Sequence, residues 1–150
     1  MKIAFDAKRA YQNATGLGNY SRTLISSLAT FYPQHEYYLL APKLTDRYDI
    51  TSFGNVKNIT PSTFLSKKFG SVWRGNWAKT DLISNKIDLY HGLSHEIPIG
   101  IEKTGVRSVV TIHDLIFERN PTQYNPIDVL IYRQKFRHAC KKADHIIAIS

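Results

Sequence analysis

The segment Ser108-Val109-Val110-Thr111-Ile112-His113 is a continuous apolar run that ends on a polar residue. A strand with one face in water alternates between apolar and polar residues, and this segment does not. It therefore predicts a strand that is buried on both faces, as in a parallel sheet.

Four other segments have the same character, and Val56–Ile59, which contains Lys57 and Asn58 and is ended by Pro61, is a further strand candidate. Helical patterns separate most of these segments. The first is short and apolar at Ile3 and Phe5, and the second is stopped by Pro42. The predicted strands are Lys2–Asp6, 37–41, Val56–Ile59, 88–91, 108–113 and 145–149. This alternation predicts an α/β fold, a Rossmann-like, doubly wound parallel sheet with helices on both faces.

Three amphipathic segments supply the predicted helices. One runs from about 19 to 32, and its apolar stripe consists of Leu17, Tyr20, Leu24, Leu28 and Phe31. Another follows Asn125-Pro126, a cap residue before a proline at the first helical position. Its stripe consists of Val129, Tyr132, Phe136, Ala139, Cys140 and Ala143. The third is expected through residues 73–85.

Composition excludes several classes of protein. Of the 150 residues, 43% are hydrophobic and 21% charged, which excludes a disordered, collagen-like or coiled-coil chain. No apolar run approaches the roughly 18 residues of a membrane-spanning helix, and Asp6 comes too early for a signal peptide. Cys140 has no partner for a disulfide and is expected in the core. A reducing, cytoplasmic location is the expectation.

The net charge is +8, and two segments carry the excess. Their basic residues are Lys67, Lys68, Arg74, Lys79 and Lys86, then Arg133, Lys135, Arg137, Lys141 and Lys142. Two solvated helix faces would explain them, and so would peripheral contact with an anionic membrane surface. Nucleic acid is not an expected partner, because residues 87–128 carry six acidic and three basic side chains and contain no recognised motif.

Gly16 comes ten residues after Asp6 and is followed by Gly18, directly before the predicted helix. Glycines at a helix N-terminus let backbone N–H groups approach a phosphate or a carboxylate. A dinucleotide fingerprint is not expected, because Ser21 replaces its third glycine and a long loop, residues 7–15, follows the strand. A glycine-rich loop without a ligand is the alternative.

Polar residues gather where the predicted strands end. His91 ends one strand and His95 follows it, while His113 and Asp114 end the next. The carboxyl ends of parallel strands meet at one edge, so these side chains are expected together, beside Asp6. Histidine there could act as general acid or base, as donor to a hydroxyl, or as phosphate partner. A metal is not expected, because His91 and His95 do not share a helix.

Four stretches, taken in order, resemble one known family. They are the first strand with its loop into Gly16-Leu17-Gly18-Asn19-Tyr20-Ser21-Arg22, then Asp88-Leu89-Tyr90-His91-Gly92-Leu93-Ser94-His95, residues 109–115, and Ala143-Asp144-His145-Ile146-Ile147-Ala148-Ile149-Ser150. Together they resemble the N-terminal domain of retaining glycosyltransferases of family 4 (glycosyltransferase group 1), which have the two-domain GT-B architecture. The similarity runs along essentially the whole chain.

The resemblance implies transfer of a sugar, hexosyl or mannosyl, from a nucleotide-diphospho-sugar to a polysaccharide or glycolipid precursor. Configuration would be retained, with no metal or other cofactor. The implied site residues are His113 and Asp114 for catalysis, Gly16 and Gly18 for the donor phosphate, and Asn19, Tyr20, His91 and His95 for the acceptor.

Members of that family bind the donor in a C-terminal domain, whose Glu-x7-Glu motif is absent from these 150 residues. We therefore expect residues 1–150 to be the N-terminal, acceptor-side domain of a longer protein, inactive by itself. Two alternatives stay open. One is another α/β enzyme that uses a nucleotide sugar or sugar phosphate, and the other is a non-catalytic Rossmann-like binding or regulatory module.

Overall fold

The computed structural model describes residues 1–61 and 78–149. Within these ranges six strands form one sheet, and every neighbouring pair is parallel. The strands are β1 (Lys2–Asp6), β2 (Glu36–Leu40), β3 (Val56–Ile59), β4 (Leu89–Gly92), β5 (Arg107–Ile112) and β6 (His145–Ala148). Each predicted strand is confirmed to within one residue at either end.

Helices connect the strands. They are α1 (Lys8–Gln12), α2 (Gly16–Phe31), α3 (Ala78–Ser84), α4 (Ile116–Arg119) and α5 (Pro126–Lys142), with 3-10 turns at Ile101–Lys103 and Pro121–Gln123. The start of α5 is confirmed, because the Asn125 side chain accepts a hydrogen bond of 2.9 Å from the Ile127 N–H. None of the helices in the described ranges is long and apolar enough to cross a membrane.

The strand order is β3-β2-β1-β4-β5-β6. The chain builds outward from β1 in one direction as far as β3, then returns to the other side of β1 and builds outward again. This is the strand order of a Rossmann fold, and the crevice at the reversal is where such sheets bind ligands. The predicted fold class, a Rossmann-like α/β sheet, is confirmed.

Helices cover both faces of the sheet, and β1 takes part in both cores. Ala4 lies in a core with α3 and α5, where Leu82 and Ala139 are fully buried. Phe5 lies in the core with α1 and α2, together with Ile25. Successive residues of a strand point to opposite faces. A continuous apolar run therefore fills two cores at once.

The buried face of α2 differs from the predicted stripe. Its buried residues are Gly18, Ser21, Ile25 and Ala29. Tyr20, Leu24 and Leu28 are only partly buried against the core, and Phe31 is 75% exposed. Small residues let the helix lie close to its neighbours, so the larger side chains cover its flanks instead.

The loop predicted at residues 7–15 contains a helix. α1 occupies five of its residues and packs against α2, with Ala10 and Tyr11 buried. A helix this short shows no apolar period in the sequence, and tertiary packing stabilises it. α2 also begins three residues before its predicted start, so Gly16 and Gly18 lie in its first turn.

The prediction of burial on both faces is wrong for β6. Ile146 is 49% exposed and Ile147 is 41% exposed. The cause is the position of β6 at the edge of the sheet, where it pairs with β5 alone among the described strands. Its apolar run predicted the strand but not its place in the sheet.

Some predictions lie outside the described residues. They are the start of the third helix at 73–77 and the basic residues Lys67, Lys68 and Arg74. The described part of that helix is α3, which ends at Ser84, one residue before the predicted end.

Leu82 and Ile83 provide a matched test of the core under α3. Leu82 is fully buried, whereas Ile83 is 54% exposed. Leu82→Ala should lower the free energy of unfolding by about 2–5 kcal/mol, because it leaves a cavity. Ile83→Ala should change it by about 0.5 kcal/mol or less. Urea denaturation followed by circular dichroism measures both, and equal losses would contradict the orientation of α3.

Candidate functional site

The carboxyl ends of β1, β4 and β5 lie side by side at one edge of the sheet. Phe5 of β1 is level with His91 of β4, and His91 is level with Val109 of β5. The segments that leave these strands therefore start from one region, which is the reversal point of the strand order.

A cleft of about 380 Å³ opens at this edge. Small-molecule sites have volumes of about 300–1,000 Å³. The cleft is lined by Lys8, Arg9 and Leu17 from α1 and α2, and by Ser94, His95 and Glu96 from the loop after β4. The chain from β5 to α5 adds Asp114, Phe117, Tyr124, Tyr132 and Lys135. Two of the predicted site residues, His95 and Asp114, are among these.

His95 has an unusual backbone conformation and ties two loops together. Its φ of 63° lies in the left-handed region, which costs a residue with a side chain about 1–3 kcal/mol. Its backbone N–H donates to the Thr111 carbonyl at 3.0 Å, and its Nε2 accepts from the His113 N–H at 3.1 Å. These bonds hold the strained turn against the end of β5.

Burial favours the neutral form of the His95 ring. Burial lowers its pKa, and the Asp114 backbone carbonyl, 3.2 Å from Nε2, partly offsets this effect, because it would accept a hydrogen bond from the doubly protonated ring. The N–H groups of His113 and Asp114 both approach Nε2. A ring nitrogen that accepts hydrogen bonds carries no proton, so we assign the proton to Nδ1.

His113 is half-buried, and its ring centroid is 5.6 Å from that of His95. Its Nε2 lies 2.7 Å from the Leu93 carbonyl oxygen, so this nitrogen carries a proton and donates it. The ring of Tyr20 packs edge-on against His113 at 4.9 Å. These contacts fix the orientation of His113. In the neutral ring, Nδ1 is then the nitrogen that accepts.

Asp114 is exposed in the cleft, next to His113 in the chain. Its Oδ1 accepts a hydrogen bond of 3.2 Å from the Ile116 N–H at the start of α4. The structure therefore brings His95, His113 and Asp114 together, as the strand-end pattern predicted.

His91 lies in the interior, with 6% of its surface exposed. Its Nε2 is 2.8 Å from the Thr111 hydroxyl, which is also 3.2 Å from the Tyr20 hydroxyl. The Phe5 ring lies 5.8 Å from the imidazole. Burial lowers the pKa of His91 to about 4, so the ring is neutral at pH 7. His91 and Tyr20 thus contact each other through Thr111, and neither lines the cleft.

Gly16 and Gly18 have different surroundings in the first turn of α2. A Cβ on Gly18 would lie 2.0 Å from the Asn13 carbonyl oxygen, whereas one on Gly16 would meet nothing within 4 Å. The Asn13 side chain also accepts from the Gly18 N–H at 3.1 Å. Gly18 therefore permits close packing, and its N–H is engaged. Gly16 is exposed at the positive end of the helix dipole.

Asn19 is exposed, and its Oδ1 accepts a hydrogen bond of 2.6 Å from Arg22. The same guanidinium donates to the carbonyls of Ala10 and Asn13, at 2.7 and 3.0 Å. Arg22 thus joins α1 to the first turn of α2. Sequence analysis assigned it no role, because the partners are backbone carbonyls that only the fold brings close.

Sequence reasoning also missed much of the lining of the cleft. Lys8 and Arg9 follow β1 directly, and this position at the carboxyl edge was the available signal. Tyr124, Tyr132 and Lys135 carry no such signal. They reach the cleft from α5 and the segment before it, and α5 packs on the sheet through Ala139 and neighbouring residues.

Within residues 1–61 and 78–149, no three His, Cys, Asp or Glu side chains are grouped so as to hold a metal ion. Comparison with protein-family models, with curated proteins and with solved structures found no match.

The groups available for chemistry at the cleft are neighbouring histidines, a carboxylate and cations around a partly aromatic surface.

Gly18 and Gly16 form a natural pair of test positions. Gly18→Ala should lower the free energy of unfolding by about 1–3 kcal/mol, because its Cβ would clash with the Asn13 backbone. Gly16→Ala should not lower it, since the site is open and alanine favours helix. Thermal denaturation compares the two. Similar losses in both variants would show that Asn13 does not lie where the structure has it.

Burial of neutral His91 predicts a dependence of stability on pH. Folding lowers the pKa of His91 from its ordinary value of 6.5 to about 4. At a pH between these two values, the unfolded state therefore binds more protons than the folded state. Stability is then fully present above pH 6.5 and falls as the pH drops toward 4, by up to about 3 kcal/mol.

His91→Gln should flatten this part of the curve of unfolding free energy against pH, measured by urea denaturation. His35→Gln is the control, since its imidazole lies near the surface beside the N-terminal amine. If His91→Gln leaves the slope of unfolding free energy against pH as it is in the wild type, the pH dependence does not come from His91.

Proposed function

We propose that the chain is the acceptor-side half of a retaining glycosyltransferase of GT-B architecture, similar to family 4. One observation carries the proposal. His95, His113 and Asp114 lie together at the carboxyl edge of the sheet, where a cleft of about 380 Å³ opens beside α2. The family resemblance expects sugar transfer at that edge and at these residues.

The reaction would move a hexosyl or mannosyl group from a nucleotide-diphospho-sugar to a polysaccharide or glycolipid precursor. The bond from the sugar C1 to the diphosphate oxygen breaks, and its electron pair leaves on that oxygen. An acceptor hydroxyl oxygen bonds to C1 on the same face, and its proton passes to the departing nucleoside diphosphate. Charge therefore develops on the leaving phosphate and on the sugar ring, where fixed donors and acceptors have most effect.

In this proposal His113 and Asp114 are the catalytic residues beside the transferred sugar. The hydrogen bond of His113 to Leu93 and its ring packing against Tyr20 support this role, because a ring held in place needs no reorientation during reaction. The Asp114 carboxylate would accept a hydrogen bond from a sugar hydroxyl. Its exposure in the cleft leaves room for one.

The donor phosphate would lie at the first turn of α2. A helix of 16 residues favours an anion there through its dipole and its first N–H groups. Gly16 is the better candidate for direct contact, because the Gly18 N–H already donates to Asn13. Gly18 would act by allowing α2 to pack closely against that loop.

The acceptor would contact the cleft, and the proposed acceptor residues contribute unequally. His95 lines the cleft and would donate from Nδ1. Asn19 is exposed near the first turn of α2. His91 and Tyr20 would act through Thr111, by holding the loops in position.

The proposal places the donor-binding half of the enzyme outside residues 1–150, so these residues alone would turn over no donor. It includes no metal and no other cofactor. Peripheral contact with an anionic membrane belongs to the same proposal, because Arg137, Lys141 and Lys142 are exposed along α5. Such contact would bring a lipid-linked acceptor to the cleft.

The alternative from another class is a binding or regulatory module that holds a sugar phosphate or nucleotide without turnover. A Rossmann-like sheet with a cleft at its carboxyl edge would suit this function too. A module of this kind would bind a ligand at the same edge but release no product.

Transfer and hydrolysis by the full-length gene product test the proposal, across a panel of UDP-, GDP- and ADP-sugars. One donor should release its nucleotide, and His113→Ala should slow that release about 100-fold, as when one transition-state hydrogen-bonding group is removed. His35→Ala is the control.

Two outcomes contradict the proposal. One is a folded full-length protein that releases no nucleotide from any donor in the presence of polysaccharide and glycolipid acceptors. The other is turnover that His113→Ala leaves unchanged. Measurable turnover by residues 1–150 alone would overturn the division of the site between two halves.

A further inference from the structure

One side of the cleft carries two cationic side chains. Lys8 and Arg9 follow β1 and line the cleft beside the first turn of α2. Arg9 also acts electrostatically on the His95 ring. Among residues 1–61 and 78–149, no side chain or backbone carbonyl forms a hydrogen bond or ion pair with the Arg9 guanidinium.

The two carboxylates of the cleft have other partners. Glu96 forms an ion pair with Lys135 of α5. Asp114 accepts from the Ile116 N–H at 3.2 Å. A guanidinium that lines a cleft and forms no ion pair with either of these carboxylates is suited to a phosphate or carboxylate, which it binds through two parallel hydrogen bonds.

Aromatic rings form another part of the same cleft. Tyr132 packs edge-on against Phe117 at 6.1 Å and against Tyr124 at 6.4 Å. Tyr124 and Tyr132 are 37% and 43% exposed. Exposed aromatic faces with hydroxyls at their edge suit a ligand that is partly apolar and partly polar. The C–H face of a sugar ring has that character.

We propose that the acceptor of this protein is an anionic sugar, one that bears a phosphate. Its charged group is held by Arg9, and its ring lies on Tyr132. The inference rests on the proposed function, because it assigns the cleft to the acceptor. It names a substrate class that the family resemblance leaves open.

Binding of small probes to residues 1–150, measured by calorimetry without any donor, tests this inference. The probes are glucose 1-phosphate and glucose 6-phosphate, with glucose and inorganic phosphate for comparison. At least one sugar phosphate should bind about tenfold more tightly than glucose, as expected for a charge-assisted contact. It should also bind more tightly than inorganic phosphate, because the ring contributes.

Variants assign the two contacts. Arg9→Gln should reduce the tenfold preference to about one, and Arg47→Gln, which removes an exposed arginine elsewhere, should leave it intact. Tyr132→Leu should weaken the binding of glucose and the binding of its phosphates by the same factor. Thermal melting of each variant confirms that it is folded.

Several results overturn the inference. They are no binding of either sugar phosphate, a preference that survives Arg9→Gln, and inorganic phosphate binding as tightly as the sugar phosphates. UDP and GDP test the source of the anion. If either displaces the sugar phosphate and loses affinity in Arg9→Gln, Arg9 serves the donor diphosphate and the acceptor assignment is wrong.

The inference and the proposed function fail separately. Suppose that sugar phosphates bind in a way that depends on Arg9, but the full-length protein shows no turnover. The anionic site would then be supported and the proposed transferase activity contradicted. If turnover depends on His113 but sugar-phosphate binding does not depend on Arg9, the transferase activity would be supported and the anionic site contradicted.

Discussion

Parallel pairing on both sides of β1 is the constraint on which the rest of the structure depends. β1 pairs with β2 from Lys2 to Asp6 and with β4 from Ile3 to Phe5. The chain that leaves β1 and the chain that leaves β4 build in opposite directions along the sheet. The space between them is therefore left open at the carboxyl edge. The cleft, the first turn of α2 and the histidine loops all lie there.

Side chains that bond to the backbone hold the loops at this crevice. Arg22 donates to two carbonyls, Asn13 accepts from the Gly18 N–H, and His95 accepts from the His113 N–H. Loop N–H and C=O groups have no ladder to satisfy them, so they need such partners. The same contacts orient the groups at the mouth of the crevice. The positive φ of His95 is tolerated because this network holds the turn.

The charge of the cleft differs from that of the segment that supplies most of its lining. Residues 87–128 are acidic, yet Lys8, Arg9 and Lys135 come to the same cleft from outside this segment. Glu96 is paired with Lys135. A charge count along the chain therefore misjudges a site built from distant segments, because the field at a point depends on distance in space.

The sequence by itself determined the positions of the six strands and the α/β class, because short apolar runs that alternate with amphipathic helices are typical of a parallel sheet. It also predicted that polar side chains gather at the carboxyl edge. It also placed His95 and Asp114 at the cleft. Only the tertiary structure decided that β6 is exposed, that α2 buries Gly18 and Ala29, and that His91 is interior. The tertiary structure also decided where Arg9, Tyr132 and Arg22 lie. Burial and partners depend on what packs against a residue, and local periodicity contains no information about that neighbour.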